Sequence, residues 1–194
     1  MTGWYVDKSI KTVQLPEIVK GKNIITVKLP LGNHTNTEWC YLLGDFGVKV
    51  TGRKAQLTEL PGKLWFGDVV NQGLSFYGGN IIYHMGDIIA ENGEIEVMIP
   101  QYRGALVKVI IDGEDKGNIV FSPNTLRIKG LSKGTHKLDI KLYTHRFNSF
   151  GAVHNADAAL DWHGPAAWRT ENESWTYEYR LKEVGILSSP IIKL

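Results

Sequence analysis

Apolar residues recur at every second position along much of this chain, and no stretch of ten or more residues carries a convincing 3.6-residue period. Leu138, Ile140 and Leu142 alternate with Lys137, Asp139 and Lys141. Ile95, Val97 and Ile99 alternate with Glu94, Glu96 and Met98. Ile25, Val27 and Leu29 alternate with Ile24, Thr26 and Lys28. Trp175, Tyr177, Tyr179 and Leu181 alternate with Thr176, Glu178 and Arg180. Each pattern predicts a strand with one apolar face and one mostly wet face. Shorter apolar runs at 39–43, 48–51, 79–85, 107–111, 119–121 and 126–128 complete the set. Turn signals separate them, among them Asp112-Gly113, Asp115-Lys116-Gly117, Ser122-Pro123-Asn124, Lys133-Gly134 and Glu91-Asn92-Gly93. Many short strands without helices predict an all-β fold, an antiparallel β-sandwich of the jelly-roll type.

The 194 residues suit one large domain with a small extension. The compositional shift predicts a lead-in segment over 1–22 that packs on the sandwich, and a single β-sandwich domain over 23–194. A chain of this size buries roughly 70% of its unfolded surface and needs no metal or disulfide staple. The 22 basic and 20 acidic residues leave a net charge of +2, and they are scattered. That balance gives no electrostatic case for nucleic acid or an anionic membrane as partner. No apolar run approaches ~18 residues, so no membrane span is expected. The first residues lack the basic and apolar regions of a signal peptide. The lone Cys40 reads as a buried small hydrophobe, without a second thiol for a disulfide or zinc site.

The polar and aromatic density peaks between 145 and 179. His145, His154 and His163 lie there without a metal-ligand spacing. Asp157, Asp161, Glu171 and Glu173 are the acids from which a glycosidase pair would be drawn, but their spacing fixes no geometry, and solvated loop acids are the simpler reading. The aromatic residues are the stronger lead. Sugar rings stack their C–H faces on Trp and Tyr, and their hydroxyls need Asn, Asp, Arg or His partners. Trp162, His163, Trp168, Arg169 and Arg146 have that chemistry and are the candidate carbohydrate contacts. Packing is the competing role for each Trp, and alternation with Tyr177 assigns Trp175 to the core. No nucleophile elbow, phosphate loop or dinucleotide fingerprint is present.

Four segments occur together in order. They are WCYLLGDFGV at 39–48, QGLSFYGGNIIY at 72–83, VIIDGEDKGNIVFSP at 109–123, and the stretch from Leu138 through RFNSFG at 146–151 to His154-Asn155. Together they resemble the galactose-binding-like β-sandwich modules attached to large bacterial glycoside hydrolases, over residues 39–187. The resemblance implies a non-catalytic accessory module, structural or carbohydrate-binding, whose catalytic acids lie in another domain. Its implied partners are carbohydrate and the catalytic domain of the same polypeptide, and its implied location is extracellular or periplasmic. A stand-alone carbohydrate-binding module, an interaction domain docking on a catalytic domain, and a glycosidase are the alternatives. Many relatives in this fold hold a structural calcium. No calcium loop matches here residue by residue, so no cofactor or metal is assigned.

Overall fold

The computed structural model describes residues 2–33, 40–157, 159, 164 and 172–194. The chain divides into two compact units, Met1–Leu43 and Gly44–Leu194.

The first unit holds one antiparallel hairpin, β1 (Gly3–Tyr5) and β2 (Asp7–Thr12). Val6 turns it with a φ of 65°. The alternation over 24–29 predicts a strand, but none forms there, and Ile24, Ile25, Val27 and Leu29 are exposed. A strand needs a neighbour to receive its N–H and C=O groups. No strand pairs with this segment among the described residues, so its pattern has no sheet to join. The run at 39–43 likewise gives no strand over 40–43, and Cys40 is exposed rather than buried.

The second unit is an antiparallel β-sandwich. Its larger sheet has the order β5-β11-β8-β9, built from β5 (Asn80–Ala90), β8 (Leu106–Ile111), β9 (Glu114–Ile119) and β11 (Gly134–Tyr143). The smaller has the order β10-β6-β13, from β6 (Glu94–Met98), β10 (Thr125–Lys129) and β13 (Ile191–Lys193). Two short pairs flank them, β3 (Gly47–Thr51) with β4 (Lys54–Thr58), and β7 (Tyr102–Arg103) with β12 (Gly185–Ile186). Every ladder is antiparallel.

The core is what the period-2 pattern predicts. Ile95, Val97 and Ile99 from the smaller sheet meet Val107, Val109, Ile111, Leu138, Ile140 and Leu142 from the larger. Each is essentially without solvent contact. Asp112 and Gly113 both take positive φ, 53° and 81°, and close the β8–β9 hairpin in the manner that Asp-Gly pairs favour. A second, smaller cluster of Val69, Ile81 and Val184 seats the C-terminal segment against β5.

The alternating segment 175–181 is a further departure. It forms no strand; only Trp175 makes an isolated bridge, to Asn155, and the chain bends at Tyr177 and Glu178. Its aromatic residues therefore do not line the sandwich core.

Candidate functional site

The site region begins where β11 ends. His145 accepts from the Phe147 N–H at its Nδ1 (3.3 Å) and donates from Nε2 to the Glu183 carbonyl (3.0 Å). Both ring nitrogens therefore serve the backbone. A single helical turn, α1 (Phe147–Phe150), follows Arg146. Asn148 sits in its middle, 2% exposed. Its Nδ2 donates to the Lys182 carbonyl and its Oδ1 accepts from the Lys182 N–H, both at 2.8 Å. Ser149 donates from Oγ to the Phe76 carbonyl at 2.7 Å. Gly78 permits this approach, because a Cβ there would lie 2.8 Å from Ser149 Oγ. The RFNSFG segment is thus a structural corner that ties β11 to the C-terminal segment and to the approach to β5.

Beyond it the chain runs back on itself. The Thr176 N–H donates to the His154 carbonyl (2.9 Å), His154 Nδ1 donates to the Thr176 carbonyl (3.0 Å), and the Arg180 N–H donates to the Val153 carbonyl (2.6 Å). The Tyr179 N–H reaches the Gly52 carbonyl in the β3–β4 turn at 3.1 Å. These bonds fix a cluster of rings. His154 lies 5.3 Å from Trp175 and 4.6 Å from Tyr179, between ring centroids. Tyr179 meets Phe76 edge-on at 5.3 Å, and Trp175 meets Tyr177 edge-on at 4.3 Å.

Two properties of this cluster bear on ligand chemistry. Tyr177 is 69% exposed although its backbone neighbours are pinned. The Trp175 indole N–H is buried with no hydrogen-bond acceptor among the described residues. Leaving such a donor unpaired costs roughly 1–3 kcal/mol. The cluster therefore presents the Tyr177 ring to solvent and keeps an unpaired donor inside.

Of the carbohydrate contacts predicted from the sequence, Arg146 is described and exposed, at the start of α1. Trp162, His163, Trp168 and Arg169 lie outside the described residues. So do Asp161 and Glu171 among the acids. Asp157 accepts from the Ala159 N–H at 2.9 Å, and Glu173 is exposed in a one-turn 3-10 helix. No three His, Cys, Asp or Glu side chains among the described residues are placed to hold a metal ion. No described helix is long and apolar enough to cross a membrane. Trp175 and Tyr177 were legible only as core, because their alternation mimics a strand.

No family model matches this chain, and no curated protein matches it. Among solved structures it is similar to a GH2 β-galacturonidase from Eisenbergiella tayi, at 18% identity and a TM-score of 0.39 over 76% of this chain. It is similar to a rhamnosidase from Novosphingobium sp. PP1Y at 14% identity and a TM-score of 0.39 over 84% of this chain. A β-D-mannosidase from Dictyoglomus thermophilum matches at 16% identity and a TM-score of 0.34 over 77%. The chain spans 22%, 16% and 22% of those three chains.

Proposed function

We propose that this chain is a non-catalytic, galactose-binding-like β-sandwich module of a bacterial glycoside hydrolase, and that it contacts carbohydrate at the Trp175–Tyr177 ring face. The observation that carries the carbohydrate reading is the exposed Tyr177 ring, set edge-on against Trp175 and flanked by hydrogen-bonded neighbours at Thr176 and Tyr179. A pyranose supplies the complement to that ring, an apolar C–H face that stacks on the tyrosine. Trp162, His163, Trp168, Arg169 and Arg146 belong to the same stretch of sequence and remain proposed carbohydrate contacts. The sandwich fold and the ordered motif resemblance over 39–187 support the accessory role. The catalytic acids, the export of the parent enzyme and the docking of this module on its catalytic domain belong to that same reading.

The test of the non-catalytic half is turnover. Purified chain is expected to leave a panel of aryl glycosides unhydrolysed. Hydrolysis that survives purification and is lost in Asp157→Asn, Asp161→Asn or Glu171→Gln would overturn it.

A further inference from the structure

A second aromatic surface lies at the opposite end of the sequence logic, at the edge strand β5. The segment 61–66 runs beside β5 and leaves an open cleft of about 470 Å³. Its walls include Lys63, Trp65, Phe66, Tyr83 and His84. That volume falls within the size of small-molecule sites, roughly 300–1,000 Å³.

Order and exposure coincide at Trp65. Its N–H donates to Gln72 Oε1 at 2.8 Å, and Gln72 Nε2 donates back to the Trp65 carbonyl at 3.1 Å. Next to it, Phe66 stacks on Tyr83 at 5.4 Å with rings 13° apart. Tyr83 is itself anchored, its hydroxyl accepting from the Ile186 N–H at 3.1 Å. Yet the Trp65 side chain stays out, with the residue 74% exposed. A pinned backbone that presents an indole to solvent offers a stacking surface at a fixed place beside the cleft.

The polar side of the cleft complements it. His84 Nδ1 donates to Asp139 Oδ1 at 2.8 Å, across the paired strands β5 and β11. That bond fixes the ring and leaves Nε2 as an acceptor in the neutral imidazole. Lys63 has no ion-pair partner among the described residues and adds a donor.

We propose that the β5-edge cleft binds a pyranose ring stacked on Trp65, with a sugar hydroxyl donating to His84 Nε2 and Lys63 donating to a ring substituent. This is a second carbohydrate site, and it rests on the carbohydrate reading of the module. The experiment is a titration of the ¹⁵N-labelled chain with methyl β-D-glucopyranoside, methyl β-D-galactopyranoside and methyl α-D-mannopyranoside, followed by NMR. At least one sugar is expected to shift the Trp65 indole and His84 signals saturably. Trp65→Ala should weaken that event about tenfold or more without changing the melting temperature. Tyr177→Ala should leave it intact. Signals at Trp65 and His84 that stay put up to about 100 mM of all three sugars would overturn the site. So would shifts at His84 that are unchanged in Trp65→Ala. Shifts at Tyr177 without shifts at Trp65 remove only this cleft, while shifts at Trp65 without shifts at Tyr177 remove only the ring cluster.

Discussion

Asn148 and Lys182 exchange two hydrogen bonds of 2.8 Å, the side-chain amide of one reading both backbone groups of the other. The pair works like one rung of a sheet, built between a helical turn and a chain segment 34 residues away. Its Asn148 half is buried, so the amide has no water to replace its two bonds.

Removing the amide should therefore be costly. Asn148→Ala is expected to destabilise the chain by about 2–3 kcal/mol, since it removes two part-buried hydrogen bonds and the packing of a buried side chain. In a domain of this size that corresponds to a fall in melting temperature of roughly 4–12 °C. Chemical denaturation of both proteins checks it.

His136 gives the fold a pH dependence. It is 7% exposed, and both ring nitrogens face acceptors. Nδ1 lies 2.6 Å from Asp112 Oδ2 and Nε2 lies 2.8 Å from the Ser132 carbonyl. The Asp112 carboxylate, then the Ser132 carbonyl, hold the imidazolium above its ordinary value of 6.5, against the opposing effect of burial. The His136 bond, then the Lys137 N–H, hold Asp112 below its ordinary 3.8. A raised histidine contributes stability that is full below about pH 6.5 and is lost as pH rises through its folded value. A depressed carboxylate contributes stability that is full above about pH 4 and is lost as pH falls through its folded value. Urea unfolding between pH 5 and 9 should show the wild type weakening on the alkaline side. His136→Gln should be flatter over that range. Parallel curves for the two proteins would show that the latch is not formed.

Gly185 should resist substitution far more than a turn glycine does. Its φ is 138°, and a Cβ there would collide with the Gly67 carbonyl oxygen. The same strand is held by the Gly67 N–H donating to the Ile186 carbonyl at 2.7 Å. Gly185→Ala is expected to cost about 3 kcal/mol, from strain and displaced backbone together. Gly113→Ala, at a φ of 81° in open space, should cost about 1–2 kcal/mol. Thermal melts of the two variants give the comparison.

The sandwich itself was legible wherever alternation met a neighbouring strand. Leu138, Ile140 and Leu142 in β11, and Ile95 and Val97 in β6, face the core as their period requires. Asp112-Gly113 closes the hairpin that its dipeptide chemistry predicts. Alternation misled at Ile25, Val27 and Leu29, and again at Trp175, Tyr177 and Tyr179, because period 2 reports side-chain pattern and says nothing about a ladder partner. The ring face at Trp175 and Tyr177 was hidden for that reason. The Trp65 cleft carried no local signal at all. It depends on Gln72, seven residues on, and on a register that sets His84 beside Asp139, 55 residues away. Such pairings exist only once the sheet is assembled.

Calorimetric titration of glycans into Trp65→Ala and into the Trp65→Ala/Tyr177→Ala double variant, which removes the β5-edge cleft from both, tests the central claim most directly. The account predicts saturable binding of at least one pyranoside-containing glycan by Trp65→Ala, weakened about tenfold in the double variant while the melting temperature is unchanged. No binding by Trp65→Ala across a broad glycan panel, or equal affinity in the double variant, would contradict it.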